Sequence, residues 1–273
     1  TGAAPDVVLS WRAGREAASH DVYFAADEQA VAEGTARVGA TTEERYPTEG
    51  LDLALGATYY WRIDEVNEAE DPAMWEGDLW HFTVSDYIVL DDFEGYTDSI
   101  DAGETVYQTW VDGWTNETGS VVGYLEAPFA ERTLVHSGRQ SMPVSYDNQT
   151  PPWYSEIERT WSPPQDWTTY GAKALVLYVR GKADNAPEAL YVAIEDGSGR
   201  SAGVTHPDPE VLAATEWQLW QIPLATFSTA GADVTDVSKI YFGIGTRDAP
   251  TAGGSGLIFV DDIRIGLAPE AQE

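Results

Sequence analysis

Cysteine is absent from this 273-residue chain, so neither disulfides nor thiolate metal sites can hold it together, and cysteine usage gives no clue to its redox compartment. Lysine is almost as scarce. Lys173, Lys182 and Lys239 are the only ones, and 15 basic against 46 acidic residues leave a formal charge of −31. A surface so poor in positive charge repels phosphate backbones and anionic headgroups, which argues against nucleic acid and membrane surfaces as partners. Polyanionic substrates are disfavoured in the same way unless a divalent cation bridges them. No apolar run approaches the roughly 20 residues that a membrane-spanning helix needs, so membrane insertion is not expected. The chain opens at TGAAPDVVLSW without a basic or apolar leader, so any secretion signal is expected upstream or already removed.

Catalytic signatures are missing too. The four histidines, His20, His81, His136 and His206, show no H-E-x-x-H spacing, no serine sits in G-x-S-x-G, and GSGRSAG at 197–203 lacks the Lys-Ser/Thr ending of a phosphate loop. Glycoside hydrolysis needs two carboxylates at a set separation. Among 46 acids any pair can be nominated, so nomination carries no information, and the chain is read as a non-enzyme.

Val, Ile, Tyr, Trp and Thr recur with period two, and Gly and Pro punctuate the pattern, which predicts an all-β protein. One short helix is expected, at 27–33, where acidic Asp27 and Glu28 suit a helix N-terminus. Two strand signatures stand apart, IVLDDFEGY at 88–96 and LIFVDDIRI at 257–265. Each places adjacent carboxylates in an apolar, β-branched run, where a bare charge is costly unless paired or bound to metal. If the two strands lie side by side, Asp91, Asp92, Glu94, Asp261 and Asp262 converge, and hard oxygen ligands of that kind suit Ca²⁺. The alternative is a pair of strands whose acids face solvent.

Residues 1–85 resemble a fibronectin type III domain through LSW at 9–11, HDVYF at 20–24, GATYYWRIDEVN at 56–67 and GDLWHFTV at 77–84. That resemblance implies a seven-stranded sandwich with Trp11 packed under Tyr59 or Trp61, a first strand cut short, and a spacer role. Residues 86–268 resemble a galactose-binding-like β-jelly-roll carbohydrate-binding module through DDFEGY, VHSGRQSM at 135–142, ALVLYVRG at 174–181 and FVDDIRI, which leaves 269–273 as a tail. It implies a structural calcium held by Asp92 and Glu94, by backbone carbonyls of Ser137 and Arg139, and by Asp261, with the choice within each Asp-Asp pair open. The tandem is similar to arrangements in large secreted bacterial proteins, so a secreted or cell-surface location is expected.

Aromatic faces hold the apolar faces of sugar rings while neighbouring polar groups read the hydroxyls. Two loop-like segments offer both. TWVDGWTNETGS at 109–120 supplies Trp110, Asp112, Trp114 and Asn116, and DNQTPPWYSE at 147–156 supplies Trp153 and Tyr154 after a Pro-Pro bend. Of Trp217 and Trp220, in EWQLWQIPL, at least one is expected in the core. Asn116 and Asn148 open N-x-Thr sequons whose use depends on a glycosylating host. The chain is therefore read as a calcium-stabilised, non-catalytic module that binds polysaccharide. One rival is a structural repeat of an extracellular filament or surface layer, with self-association through the tryptophans. A weaker one is a lyase or hydrolase with an unrecognised site.

Overall fold

The computed structural model describes residues 2–268, and the tail lies outside them. The chain divides into two compact units between Ile88 and Val89.

In the first unit the elements run β1 (Val8–Ser10), β2 (Ser19–Ala25), α1 (Glu28–Ala32), β3 (Arg37–Thr41), β4 (Arg45–Pro47), β5 (Thr58–Val66), β6 (Met74–Trp75) and β7 (Trp80–Thr83). Strand β1 pairs with β4, while β3, β2 and β5 form a second sheet that β6 and β7 complete by pairing with different stretches of β5. Phe24 stacks on Tyr59 with ring centroids 5.1 Å apart, and Phe82 tilts against both. Trp11, which the fibronectin-like pattern placed under Tyr59 or Trp61, packs edge-on against His20 at 5.2 Å and lines the same recess as Trp61. Helix α1 forms where expected. Asp27 caps it by accepting from the backbone N–H groups of Gln29 and Ala30.

The second unit is a β-jelly-roll sandwich. It comprises β8 (Tyr87–Asp91), α2 (Val106–Thr109), α3 (Gly113–Asn116), β9 (Ser120–Val122), β10 (Met142–Asp147), β11 (Ser155–Gln165), β12 (Ala174–Arg180), β13 (Leu190–Asp196), β14 (Ser201–Thr205), β15 (Gln218–Pro223), α4 (Leu224–Thr229), β16 (Val237–Ile244) and β17 (Ser255–Gly266). One sheet has the order β15-β12-β17-β10-β9 with β8 also on β17, and the other has the order β11-β16-β13-β14. The expected pairing of the first and last strands of this unit is present. Alternation decides the layers: Ile157, Val192, Ile194 and Ile240 are fully buried between the sheets, so the intervening residues of the four-stranded sheet face outward.

Asp91 ties this core together. Its carboxylate accepts from the Trp110 indole N–H at 2.9 Å, the Tyr96 hydroxyl at 2.6 Å, the Phe93 backbone N–H at 2.9 Å and the Arg159 guanidinium. Burial first, and then the Asp91 charge, raise the Tyr96 phenol well above its usual value, so the phenol stays a donor. Trp110 has no exposed surface and sits 5.5 Å from the Phe242 ring, linking β8 to the middle of the opposite sheet.

Replacing Trp110 by alanine is expected to cost about 3–5 kcal/mol, the scale of a large-to-small change in a packed core. Replacing Trp114, which is 80% exposed, should change stability by no more than about 0.5 kcal/mol. Urea titrations of the two variants check this contrast.

Candidate functional site

The outer face of the four-stranded sheet carries a connected set of polar and aromatic side chains. Period two brings Glu156 and Glu158 of β11, Lys239, Tyr241 and Gly243 of β16, Tyr191, Ala193 and Glu195 of β13, and Ser201, Gly203 and Thr205 of β14 to one side. Gly243 is there for a steric reason. A Cβ at that position would lie 1.8 Å from Cζ of Tyr191, so the bare backbone lets the phenol lie across the strand and donate to Glu156 Oε2 at 2.7 Å. Arg247 donates to Glu156 Oε1 at 2.8 Å and stands 4.6 Å over the Tyr241 ring. Tyr241 donates to Glu195 at 2.9 Å, and Lys239 pairs with Glu158 at 3.0 Å.

Burial lifts the Glu156 carboxyl above the usual carboxylate range although Tyr191 and Arg247 both pull it down. Burial and the neighbouring Glu156 charge raise the Tyr191 phenol in turn, so it remains protonated and donating. Burial alone would weaken the Arg247 guanidinium, but the charge of Glu156 holds it above its ordinary value. Beside this network lies a recess of about 360 Å³ with Tyr191, Arg247 and Asp248 on its walls and the small residues Ala193, Ser201, Gly203 and Thr205 along it. The polar atoms are oriented by one another before any ligand arrives.

The two loop segments singled out by sequence do meet. Gly119 donates to the Tyr154 carbonyl at 3.0 Å, and Asn116, Thr118 and Ser120 all donate side-chain hydrogen bonds to the Glu156 carbonyl. Trp114 projects beside a shallow recess of about 400 Å³ bounded by Thr150, Pro151 and Pro152, and Trp153 is 38% exposed. Tyr154 is half-buried and directly precedes Ser155, the first residue of β11. Three expected readers fall elsewhere. Trp110 is core, because Asp91 and Phe242 enclose it. Asp112 is buried as the cap of α3, accepting from Trp114 N–H and Val122 N–H. The Asn116 side-chain amide is engaged by the Glu156 carbonyl and by Thr118. The other sequon asparagine, Asn148, has no exposed surface and bonds Ile244 and Ser155, so it offers no acceptor for glycosylation in the folded state. Sequence reasoning missed Tyr191, Tyr241, Gly243 and Arg247. Their signal was the alternation of polar or aromatic residues with Val and Ile in LYVAIED and KIYFGIGTR.

The acids of the paired strands separate into three groups. Asp91 serves the core, as above. Asp92 accepts from the Glu94 backbone N–H at 3.1 Å, closing its own turn. Glu94, Asp261 and Asp262 converge on the loop 136–140. Adjacent residues of a regular strand point to opposite faces, but β17 carries an extra residue opposite β12 between Val176 and Tyr178, and Asp262 there has φ 51°. That bulge lets both carboxylates reach one loop. Asp261 accepts from the backbone N–H groups of His136 at 2.9 Å and Ser137 at 3.3 Å, and Asp262 from Ser137 Oγ at 3.0 Å, with His136 Nδ1 at 2.6 Å. Glu94 accepts from Arg139 N–H at 2.7 Å, Gln140 N–H at 3.0 Å and Arg139 Nε at 3.0 Å.

A calcium shell needs about 6–8 oxygens. Here N–H donors face Glu94 and Asp261, and among the described residues no group of three or more acids or histidines stands where it could hold a metal. Of the set Asp92, Glu94, Ser137, Arg139 and Asp261, the carboxylates of Glu94 and Asp261 are taken up by N–H donors of the loop as arranged. The carboxylates close the loop themselves. Burial pushes the Asp261 carboxyl up to about 7, against the pull of its backbone donors, whereas the partners of Asp262 outweigh burial and hold its carboxyl below the ordinary range.

A family model described as carbohydrate binding domain 30 matches residues 104–266. No curated protein matches the chain. Among solved structures, the chain is similar to the family 11 carbohydrate-binding module of the cellulosomal cellulase Lic26A-Cel5E of Clostridium thermocellum, at 18% identity and TM-score 0.41, over 68% of this chain and 98% of that one. A family 30 carbohydrate-binding module is similar at 17% identity and TM-score 0.40, over 53% and 75%. The agarase AgWH50C is similar at 12% identity and TM-score 0.43, over 67% and 26%.

Two outcomes test this geometry. Gly243→Ala should displace the Tyr191 phenol and destabilise the second unit by about 1–3 kcal/mol, as overpacking does, and a urea titration measures it. EDTA should leave the melting temperature of the wild type unchanged, whereas Glu94→Ala should lower it; a chelator-sensitive transition restored by calcium would show that the loop opens to a metal after all.

Proposed function

The chain belongs to the carbohydrate binding domain 30 family, and from that premise we propose that its second unit is a non-catalytic module that holds a neutral polysaccharide on the outer face of the four-stranded sheet. The observation that carries this reading is the network of Tyr191, Glu156, Arg247 and Tyr241 beside an open recess floored by small residues. A sugar offers alternating hydroxyl donors and acceptors and an apolar ring face, and this wall presents guanidinium donors, carboxylate acceptors and phenol rings in fixed positions. Trp114, Trp153 and Tyr154 extend it at the β11 end as aromatic surface. Glu156, Glu158 and Glu195 are engaged by Tyr191, Arg247, Lys239 and Tyr241, which leaves Asp248 as a single carboxylate on the recess wall rather than the pair that glycoside hydrolysis needs, and the module acts by retention. The acidic surface favours neutral over acidic glycans. The module works outside the cell, where such polymers lie, and raises the local concentration of whatever it is joined to.

Arg247→Ala alone would strand a buried Glu156 charge, so the pair Glu156→Gln/Arg247→Ala is the cleaner variant. Native electrophoresis through gels containing soluble β-glucan, xylan or agarose should retard the wild type. The pair variant should bind at least about tenfold more weakly, equivalent to ~1.4 kcal/mol, while its melting transition stays cooperative. No retardation of the wild type in any gel, or equal retardation of the folded pair variant, rejects the sheet face. Loss with Trp114→Ala but not with the pair moves the site to the loop rim.

A further inference from the structure

The first unit contains a tryptophan-walled recess that lies outside the residues matched by the family model. Along β5 and β7 the register pairs Tyr59 with Phe82 and Trp61 with Trp80, two steps along one sheet face. At the first step the rings are covered: Phe24, Tyr59 and Phe82 form the closed stack of the core. At the second they are not. The Trp61 and Trp80 rings stack at 6.3 Å and 29°, yet Trp80 is 56% exposed. Trp75, supplied by β6, and Trp11, which follows β1, complete a recess of about 470 Å³, inside the roughly 300–1,000 Å³ range of ligand sites. The aromatic ladder of the core thus continues past its cover and opens to solvent.

Carboxylates outnumber cations at this recess. Glu65 and Asp78 line it, and the Asp78 carboxylate has no hydrogen-bond or ion-pair partner among the described residues. The indole N–H of Trp11 is buried without an acceptor. Arg12 is the only cation on the wall. Indole faces with carboxylates at the rim suit a ligand that has an apolar face, many hydroxyl donors and no negative charge. We propose that this recess is a second glycan site, specific for neutral oligosaccharides, which stack a pyranose ring on Trp80 and Trp75 and donate hydroxyls to Asp78. The argument stands on the first unit alone and holds whether or not the sheet face of the second unit binds. Two sites on one chain would reinforce each other on a polymer.

The test uses the whole chain labelled with 5-fluorotryptophan, whose eleven tryptophans give separate ¹⁹F resonances assignable by Trp→Phe variants. Titration with neutral β-glucan, xylan and agarose oligosaccharides should shift Trp75 and Trp80 saturably at millimolar concentrations. Trp80→Ala should weaken the response of Trp75 at least about tenfold without altering the melting temperature. Shifts confined to Trp114 and Trp153 would place binding on the second unit and overturn this site. Shifts of Trp75 and Trp80 support it. Unmoved Trp75 and Trp80 resonances with all three oligosaccharides, or a Trp80→Ala chain whose Trp75 responds as before, overturn the second site.

Discussion

A carboxylate can be removed from water only where hydrogen-bond donors replace that water, and this constraint shapes the second unit. With 46 acids and 15 bases the chain cannot give each acid its own cation. Backbone N–H groups, phenols and one indole supply most of the donors instead. Asp91 gathers Trp110, Tyr96, Arg159 and Phe93 N–H, and so joins the opening strand to the middle of the sandwich. Asp196 collects Ser198, Arg200 and Asp233 N–H, which holds its carboxyl far below the usual range and links the β13–β14 hairpin to the approach to β16. Removing such an acid would release several elements at once.

The same constraint builds the candidate site. Glu156 is buried, so it needs both Tyr191 and Arg247, and those partners are the groups left facing the recess. Stability and recognition therefore draw on one network. Its geometry depends on the absence of a side chain at Gly243, which gives the Tyr191 ring room to cross the strand. A surface assembled this way is oriented before binding, which lowers the ordering cost a ligand would otherwise meet.

The two units expose aromatic rings for different structural reasons. In the second, Trp114 stands on a four-residue helical turn whose neighbours Asn116 and Thr118 are tied to β11, so a loop is held firmly while its indole stays open. In the first, Trp61 and Trp80 belong to the core face of the sheet and are open only because that face continues beyond its cover. Both arrangements leave large apolar rings in water, which folding alone does not favour.

Much of this protein was legible in the sequence. Period-two patterning marked it as all-β, and the Asp27 cap marked the short helix. The matching acidic strands also forecast that β8 and β17 lie side by side. These are local or additive properties, carried by a residue and its near neighbours. What only the tertiary structure decided depends on which residues meet across the fold. Trp110 and Trp114 share one motif and similar flanking residues, yet one is enclosed by Asp91 and Phe242 and the other is bare. Asp261 and Asp262 reach the same loop because a bulge reverses one of them, and no strand pattern announces a bulge. Tyr191 meets Glu156 across Gly243, and those three residues lie on three strands far apart in sequence. Register and burial arise only when the sheets close, so the site they create is invisible until then.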